Sequence, residues 1–163
     1  MISKYLEASI LAFIQGFSEF IPVSSSAHLI IISKVYEFNI SSLHLDISLH
    51  LGSLIAIIFY FRDDLTNFSK NKSLAILIIV GSIPLIIIGY IIFSTGLIEH
   101  LRNLKVIAWT TLIFGILLFF ADKSQKKNKL DANLNFKTIL IIGLYQVLAV
   151  IPGVSRSGIV ITA

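Results

Sequence analysis

The chain has 163 residues, of which 56% are hydrophobic and only 13% charged, and its mean hydropathy is +0.91. Soluble domains carry about 25% charged residues, so this composition excludes an ordinary soluble domain or a disordered tail and describes a chain whose solvent is largely lipid. Cysteine is absent, which excludes disulfides, thiolate nucleophiles and Cys-ligated metals; the net charge of +4 sits in short gaps between apolar runs, a pattern of membrane topology rather than of nucleic-acid binding.

The first element covers Tyr5 to Ser33. An apolar half from Ala8 to Ile21 meets Pro22 and then Ser24, Ser25 and Ser26, before a second half runs through Ile32. Each half is shorter than the about 20 residues a bilayer core requires, and irregular polar backbone is tolerated at membrane depth only when buried in protein or lining a cavity. The pattern predicts a re-entrant helix–loop–helix hairpin. Three spans follow, Ile47 to Phe61, Leu74 to Phe93 and Leu104 to Ala121; Gly81, Pro84 and Gly89 predict a kink in the second, and Trp109 suits an interfacial anchor. Phe136 to Ala163 repeats the first design, with Ile139 to Ile151 apolar, then Pro152, Gly153, Ser155, Arg156, Ser157 and Gly158. The expected fold is all-α, a polytopic membrane protein of one transmembrane domain over residues 1–163, with about three full spans and two re-entrant hairpins forming part of an inverted-repeat architecture.

Lysine and arginine set the orientation, because they accumulate on the cytoplasmic side. Arg62, Lys70 and Lys72 fill one gap and Lys123, Lys126, Lys127, Lys129 and Lys137 another, against a weaker set of Arg102 and Lys105 between them. The two lysine-rich gaps are therefore placed inside and the Lys34 to Asp46 segment outside. The hairpins then enter from opposite faces and their polar tips meet near the midplane. Glu7, Glu19 and the lack of a small-residue cleavage site argue against a cleaved signal peptide.

Two constellations carry chemistry. On a helix Gln15 and Glu19 share a face and present two oxygens to one ligand, and an ionisable group inside a membrane segment is a functional candidate by default; the plainer reading is a neutral Glu19 bonded to a neighbouring helix. Ser24, Ser25 and Ser26 would by themselves cap the helix expected to begin near His28, but hydroxyls, a histidine, a carboxylate and a helix N-terminus together offer a nucleophile, an acid/base group, a metal ligand and an anion site. In the second constellation Gly153 and Gly158 let backbone N–H groups approach an anion, Arg156 supplies a planar fork for phosphate oxygens, and Ser155 and Ser157 add donors. His44 and His100 are expected in loops and His50 at a span entrance near Asp46, all three interfacial or structural.

The runs QGFSEFIPVSSSAHL and QVLAVIPGVSRSG, in that order and with HLGSLIAIIFYFR between them, resemble the undecaprenyl-diphosphate phosphatase family of the bacitracin-resistance type across essentially the whole chain. The resemblance implies a hydrolase that removes the terminal phosphate of a polyprenyl diphosphate in the bacterial cytoplasmic (inner) membrane, with its site facing outside, and so recycles the lipid carrier of cell-wall synthesis. It implies that Gln15 and Glu19 are the acidic pair, Ser25 the serine, His28 the histidine, and Ser155, Arg156 and Ser157 the cradle. The expected mechanism sets a divalent cation such as Mg²⁺ on Glu19 and the diphosphate, with attack by Ser25 or by a water in its place, proton movement by His28, and phosphate binding by Ser24, Ser26, Arg156 and the backbone around Gly153.

The chain departs from the family pattern at Ala27, where glycine is usual, and at Val160, where threonine is usual. It ends at Ala163, short of the further spans the family carries, so the expectation is a C-terminally shortened member, poorly stable and weakly active or inactive by itself unless a second copy or a separate C-terminal fragment closes the site. Expected partners are accordingly the lipid substrate, membrane lipids and a homo-oligomer, with no nucleic acid. A lipid transporter or flippase, or a non-catalytic or decayed lipid-diphosphate binder, are the alternatives; the first predicts lipid movement without free phosphate, the second binding without turnover.

Overall fold

The computed structural model describes residues 3–68, 72–123 and 135–163. Among them nine α-helices and one 3₁₀ turn follow in chain order: α1 Lys4–Ser18, α2 Ser25–Val35, α3 Leu43–Tyr60, α4 Arg62–Phe68, α5 Lys72–Ser94, α6 Leu97–Leu101, α7 Leu104–Lys123, α8 Phe136–Val147, the 3₁₀ turn Leu148–Val150 and α9 Arg156–Thr162. The all-α expectation holds. Three helices are long and apolar enough to cross a membrane, over Leu43–Tyr60, Ala75–Ser94 and Leu104–Lys123, and only 6% of each is buried within the protein. Their outward faces carry Ile55, Ile79, Ile86, Trp109 and Phe119, all more than half exposed, which is the surface a multi-pass membrane protein turns to lipid.

The ends of these helices follow local chemistry. α3 begins four residues before the expected start because the Ser42 hydroxyl accepts from the Leu45 amide at 3.1 Å, capping a turn that holds His44 and Asp46. His44 therefore lies in α3, and His100 in the short α6 that Gly96 introduces with φ +71°; neither is in a loop. Pro84 sits inside an unbroken α5. Of the lysines used to orient the chain, Lys70, Lys126, Lys127 and Lys129 lie outside the described residues.

Two helix–break–helix pairs flank these spans. α1 stops at Ser18, three residues earlier than the apolar run, and α2 starts at Ser25 rather than near His28, because the Ser24 hydroxyl accepts from the Ala27 amide at 3.4 Å. In the C-terminal pair Ser155 caps α9 in the same way, its hydroxyl accepting from the Gly158 amide at 3.2 Å. Leu11, Leu29 and Phe38 form a small core with Ile10, Ile14, Ile32, Leu45 and Leu49, which binds α1 and α2 to α3; Ala27, Ile30 and Ile107 join α2 to α7. α5 packs most extensively on α8, where a Cβ at Gly143 would run into the Gly81 carbonyl, so two glycines permit the close crossing.

Two buried carboxylates, Glu7 and Asp46, hold the same end of the fold. Glu7 is 1% exposed and accepts from the Asn39 and Ile40 amides at 3.0 and 3.2 Å, fastening the α2–α3 connection to α1. Arg102 meets Asp46 at 2.6 Å with side chains 12% and 6% exposed, tying the start of α7 to the first turn of α3. The 34–46 segment and the Arg102 gap thus lie together, as alternating spans require.

Candidate active site

The two breaks meet. Gly153 turns the chain with φ +98°, its amide donates to the Ser24 hydroxyl at 3.1 Å, and the carbonyls of Pro152 and Gly153 accept from Thr110 and Thr111 of α7 at 2.7 and 3.4 Å. Only glycine fits there, since a Cβ would collide with the Thr110 hydroxyl and the Ile107 carbonyl. Thr110 stands six residues into α7 and His50 seven into α3, about 9–11 Å along each helix, so the junction lies at the level of the spans.

A cavity of about 510 Å³ opens beside this junction, lined on one wall by Glu19, Ser24, Ser25, Ser26 and His50 and on the other by Ser155, Arg156 and Ser157. Ser25 donates from Oγ to Glu19 Oε2 at 2.7 Å, and the same carboxylate oxygen accepts from Gln15 Nε2 at 2.9 Å. Gln15 is 1% exposed and its Oε1 has no hydrogen-bond partner among the described residues, so its amide steadies Glu19 instead of presenting a second oxygen to a ligand. Among the described residues Arg156 has no ion-pair or hydrogen-bond partner; it heads α9 exposed to the cavity, where its charge adds to the N-terminal end of that helix. The Ser155 and Ser157 hydroxyls lie 3.1 Å apart beside it.

Not every expected site residue faces this space in the expected way. The Gly153 amide is engaged by Ser24, so it is not free to receive a phosphate oxygen, and Ser24, which also caps α2 and touches the Ser26 hydroxyl at 3.2 Å, latches the two breaks together. His28 donates from Nδ1 to the Ser24 carbonyl at 2.7 Å and lines a neighbouring groove of about 410 Å³ with Thr111, Phe114, Leu118 and Ile159 rather than the cavity that holds Ser25. The histidine beside Ser25 is His50. Its Nε2 stands 3.3 Å from Ser25 Oγ and 3.6 Å from Glu19, while its Nδ1 donates to the Asp46 carbonyl at 2.8 Å. His50 lies in neither motif but opens the HLGSLIAIIFYFR run between them, three residues past the expected start of the span, and an ionisable residue there was the available signal.

The arrangement holds a hydroxyl between a carboxylate and an imidazole, opposite a free guanidinium and two hydroxyls. Its chemistry is that of an anion with a reacting centre placed between Ser25 and Arg156. A family model described as "Bacitracin resistance protein BacA" matches residues 8–163. Curated relatives include an undecaprenyl-diphosphatase of Pelagibacter ubique, 60% identical over the whole of this chain, one of Saccharophagus degradans, 44% identical over 97% of it, and undecaprenyl-diphosphatase 1 of Pseudoalteromonas translucida, 44% identical over 97%. The chain spans 64% of the length of each. The match runs through both breaks and all three spans, and on it the chain belongs to the BacA family of bacitracin resistance proteins.

Proposed function

We propose that this chain carries the site of a membrane phosphatase that hydrolyses undecaprenyl diphosphate, or a polyprenyl diphosphate like it, to the monophosphate and orthophosphate. The observation that carries the reading is the single cavity that joins Glu19 and Ser25 from the first break to Arg156 from the second. The names of the relatives support the substrate. A membrane-level site suits a lipid diphosphate, whose isoprenoid tail stays in hydrocarbon while its headgroup reaches the polar tip. Within this reading the helix pairs are re-entrant hairpins of an inverted repeat, the membrane is the bacterial inner membrane, and the site opens outward.

Ser25 attacks the terminal phosphorus; the bond to the bridging oxygen breaks, and the polyprenyl monophosphate leaves with the electron pair. Glu19, the nearest acceptor of the Ser25 proton at 2.7 Å, receives it. Arg156 grips the equatorial oxygens, with Ser155, Ser157 and Ser26 as further donors. Water then releases the phosphate from Ser25, returning the proton to its hydroxyl. Among the described residues no three His, Asp or Glu side chains gather as a metal cage, and Glu19 is the one carboxylate lining the cavity. That set fits Mg²⁺, which is commonly held by one or two carboxylates plus substrate phosphates; bound at Glu19, it would offset the charge of the diphosphate.

The test is orthophosphate release from a long-chain prenyl diphosphate by the protein in membrane vesicles, with Mg²⁺ and with chelator. The parent releases phosphate with Mg²⁺, while Glu19→Gln, at equal membrane abundance, loses on the order of a hundredfold or more. Transfer of labelled lipid between leaflets without phosphate release would instead assign a flippase, and Glu19→Gln activity within a few-fold of the parent would remove Glu19 from the chemistry.

A further inference from the structure

His50 lies in neither motif, yet α3 brings it to the hydroxyl at the centre of the cavity. We propose that His50 is a positioning residue for Ser25: from a helix outside both breaks, its Nε2 holds the hydroxyl proton on the Glu19 side, so that the oxygen lone pairs face the cavity wall bearing Arg156. The inference rests on the diphosphatase reading and adds to it a residue for setting the angle of attack.

The geometry of the ring carries the argument. A carbonyl only accepts, so the 2.8 Å contact to the Asp46 carbonyl puts the hydrogen of His50 on Nδ1 and leaves Nε2 of the neutral ring as a bare acceptor. That acceptor stands 3.3 Å from Ser25 Oγ. Ser25 has one hydrogen and two acceptors for it, Glu19 Oε2 at 2.7 Å and His50 Nε2 at 3.3 Å, which lie 3.6 Å from each other and so bracket the same side of the oxygen. Glu19 is not a dedicated partner, because its Oε2 also accepts from Gln15 at 2.9 Å. His50 is anchored separately. Its first helical turn is tied by Asp46 to Arg102, and the neighbouring face of α3 is tied to α1 through Ser53, which receives Gln15 Nε2 at 3.5 Å.

Phosphoryl transfer makes such a role more useful than a strong base. The transition state is loose, with little bond formation to the attacking oxygen, so the hydroxyl gains little acidity and catalysis is mostly placement and charge stabilisation. A second holder keeps the oxygen aimed when the carboxylate turns to other partners, and an error of about 1 Å in that aim costs up to about a hundredfold in rate.

The role demands an acceptor at the Nε2 position and nothing else, which a set of substitutions separates. A Gln amide oxygen reaches the place of Nε2, whereas an Asn amide reaches only the place of Nδ1. His50→Ala and His50→Asn in membrane vesicles are expected to lower kcat for orthophosphate release about ten- to a hundredfold with KM within about twofold, and His50→Gln to stay within about fivefold of the parent. Ser25 labelling by a lipophilic fluorophosphonate, followed by mass spectrometry without any substrate, is expected to slow in the same order. Parent-like kcat and labelling in His50→Ala overturn the proposal, and so does a His50→Gln variant as slow in both as Ala, since the ring would then do what an acceptor alone cannot. Failure of the diphosphatase reading is distinguishable: the parent would release no phosphate, and the labelling order would still decide for or against His50.

Discussion

The Arg102–Asp46 pair fixes the turn of α3 from which His50 projects, and it offers a measurable handle on that turn. Replacing Arg102 by Leu leaves a carboxylate that is 6% exposed with no countercharge, and losing one partner of a buried pair costs about 3–5 kcal/mol. The short 2.6 Å contact and the 12% exposure of the arginine side chain put the pair with buried rather than surface bridges, which contribute only about 0–1 kcal/mol. In detergent-solubilised protein this corresponds to a fall in Tm of about 6–20 °C for a chain of this size. The double variant Asp46→Leu with Arg102→Leu removes both charges together and should recover most of the loss, because an apolar pair of similar volume is often as stable as a buried ion pair. Thermal unfolding followed by tryptophan fluorescence suits the protein, since Trp109 is its one tryptophan and sits on α7 shortly after Arg102. A fall in Tm below about 3 °C for the single variant, or no recovery in the double one, would refute the reasoning and make the pair a solvated contact.

Arg156→Lys should lose most phosphatase activity while the protein stays in the membrane, because a point ammonium cannot grip two phosphate oxygens; parent rates would rule out bidentate recognition. Gly153→Ala should destabilise by about 2–4 kcal/mol, as its methyl group meets the Thr110 hydroxyl and the Ile107 carbonyl at a positive φ; unchanged thermal stability would show that the loop yields. Cysteines at Lys123 and Ser41 should label from opposite sides of sealed cells, Lys123 from within, and same-side labelling would overturn the topology.

The spans were legible because length and apolarity alone define them, and the two breaks because Pro22 and Pro152 interrupt runs too short to cross. Their limits shifted where a cap decides: Ser42 drew α3 back by a turn, and Ser24 started α2 at Ser25. What the sequence could not show was pairing across the fold. The Ser24 hydroxyl read as a phosphate ligand, yet its partner is a glycine amide far along the chain. His50 was hidden for the same reason, since its neighbour Ser25 lies on another helix. Glu7 shows the reverse: a carboxylate in an apolar segment, by the same reasoning that marks Glu19, but spent on two loop amides.

The contact between Gly153 and Ser24 joins residues 129 apart in the chain. At about 5–20 residues per second, synthesis of the intervening segment takes roughly 6–26 s. Through that interval α1, α2 and α3 can settle around Leu11, Leu29 and Phe38, because those contacts are near in sequence, while Ser24 and the N-terminal turn of α2 still lack their partner. Glu19 and Ser25, on one wall of the cavity, are thus made well before Arg156, which stands on the other. On the proposed reading the latch is what sets Arg156 across the cavity from Ser25, so the guanidinium faces the hydroxyl only once the second break has joined the first.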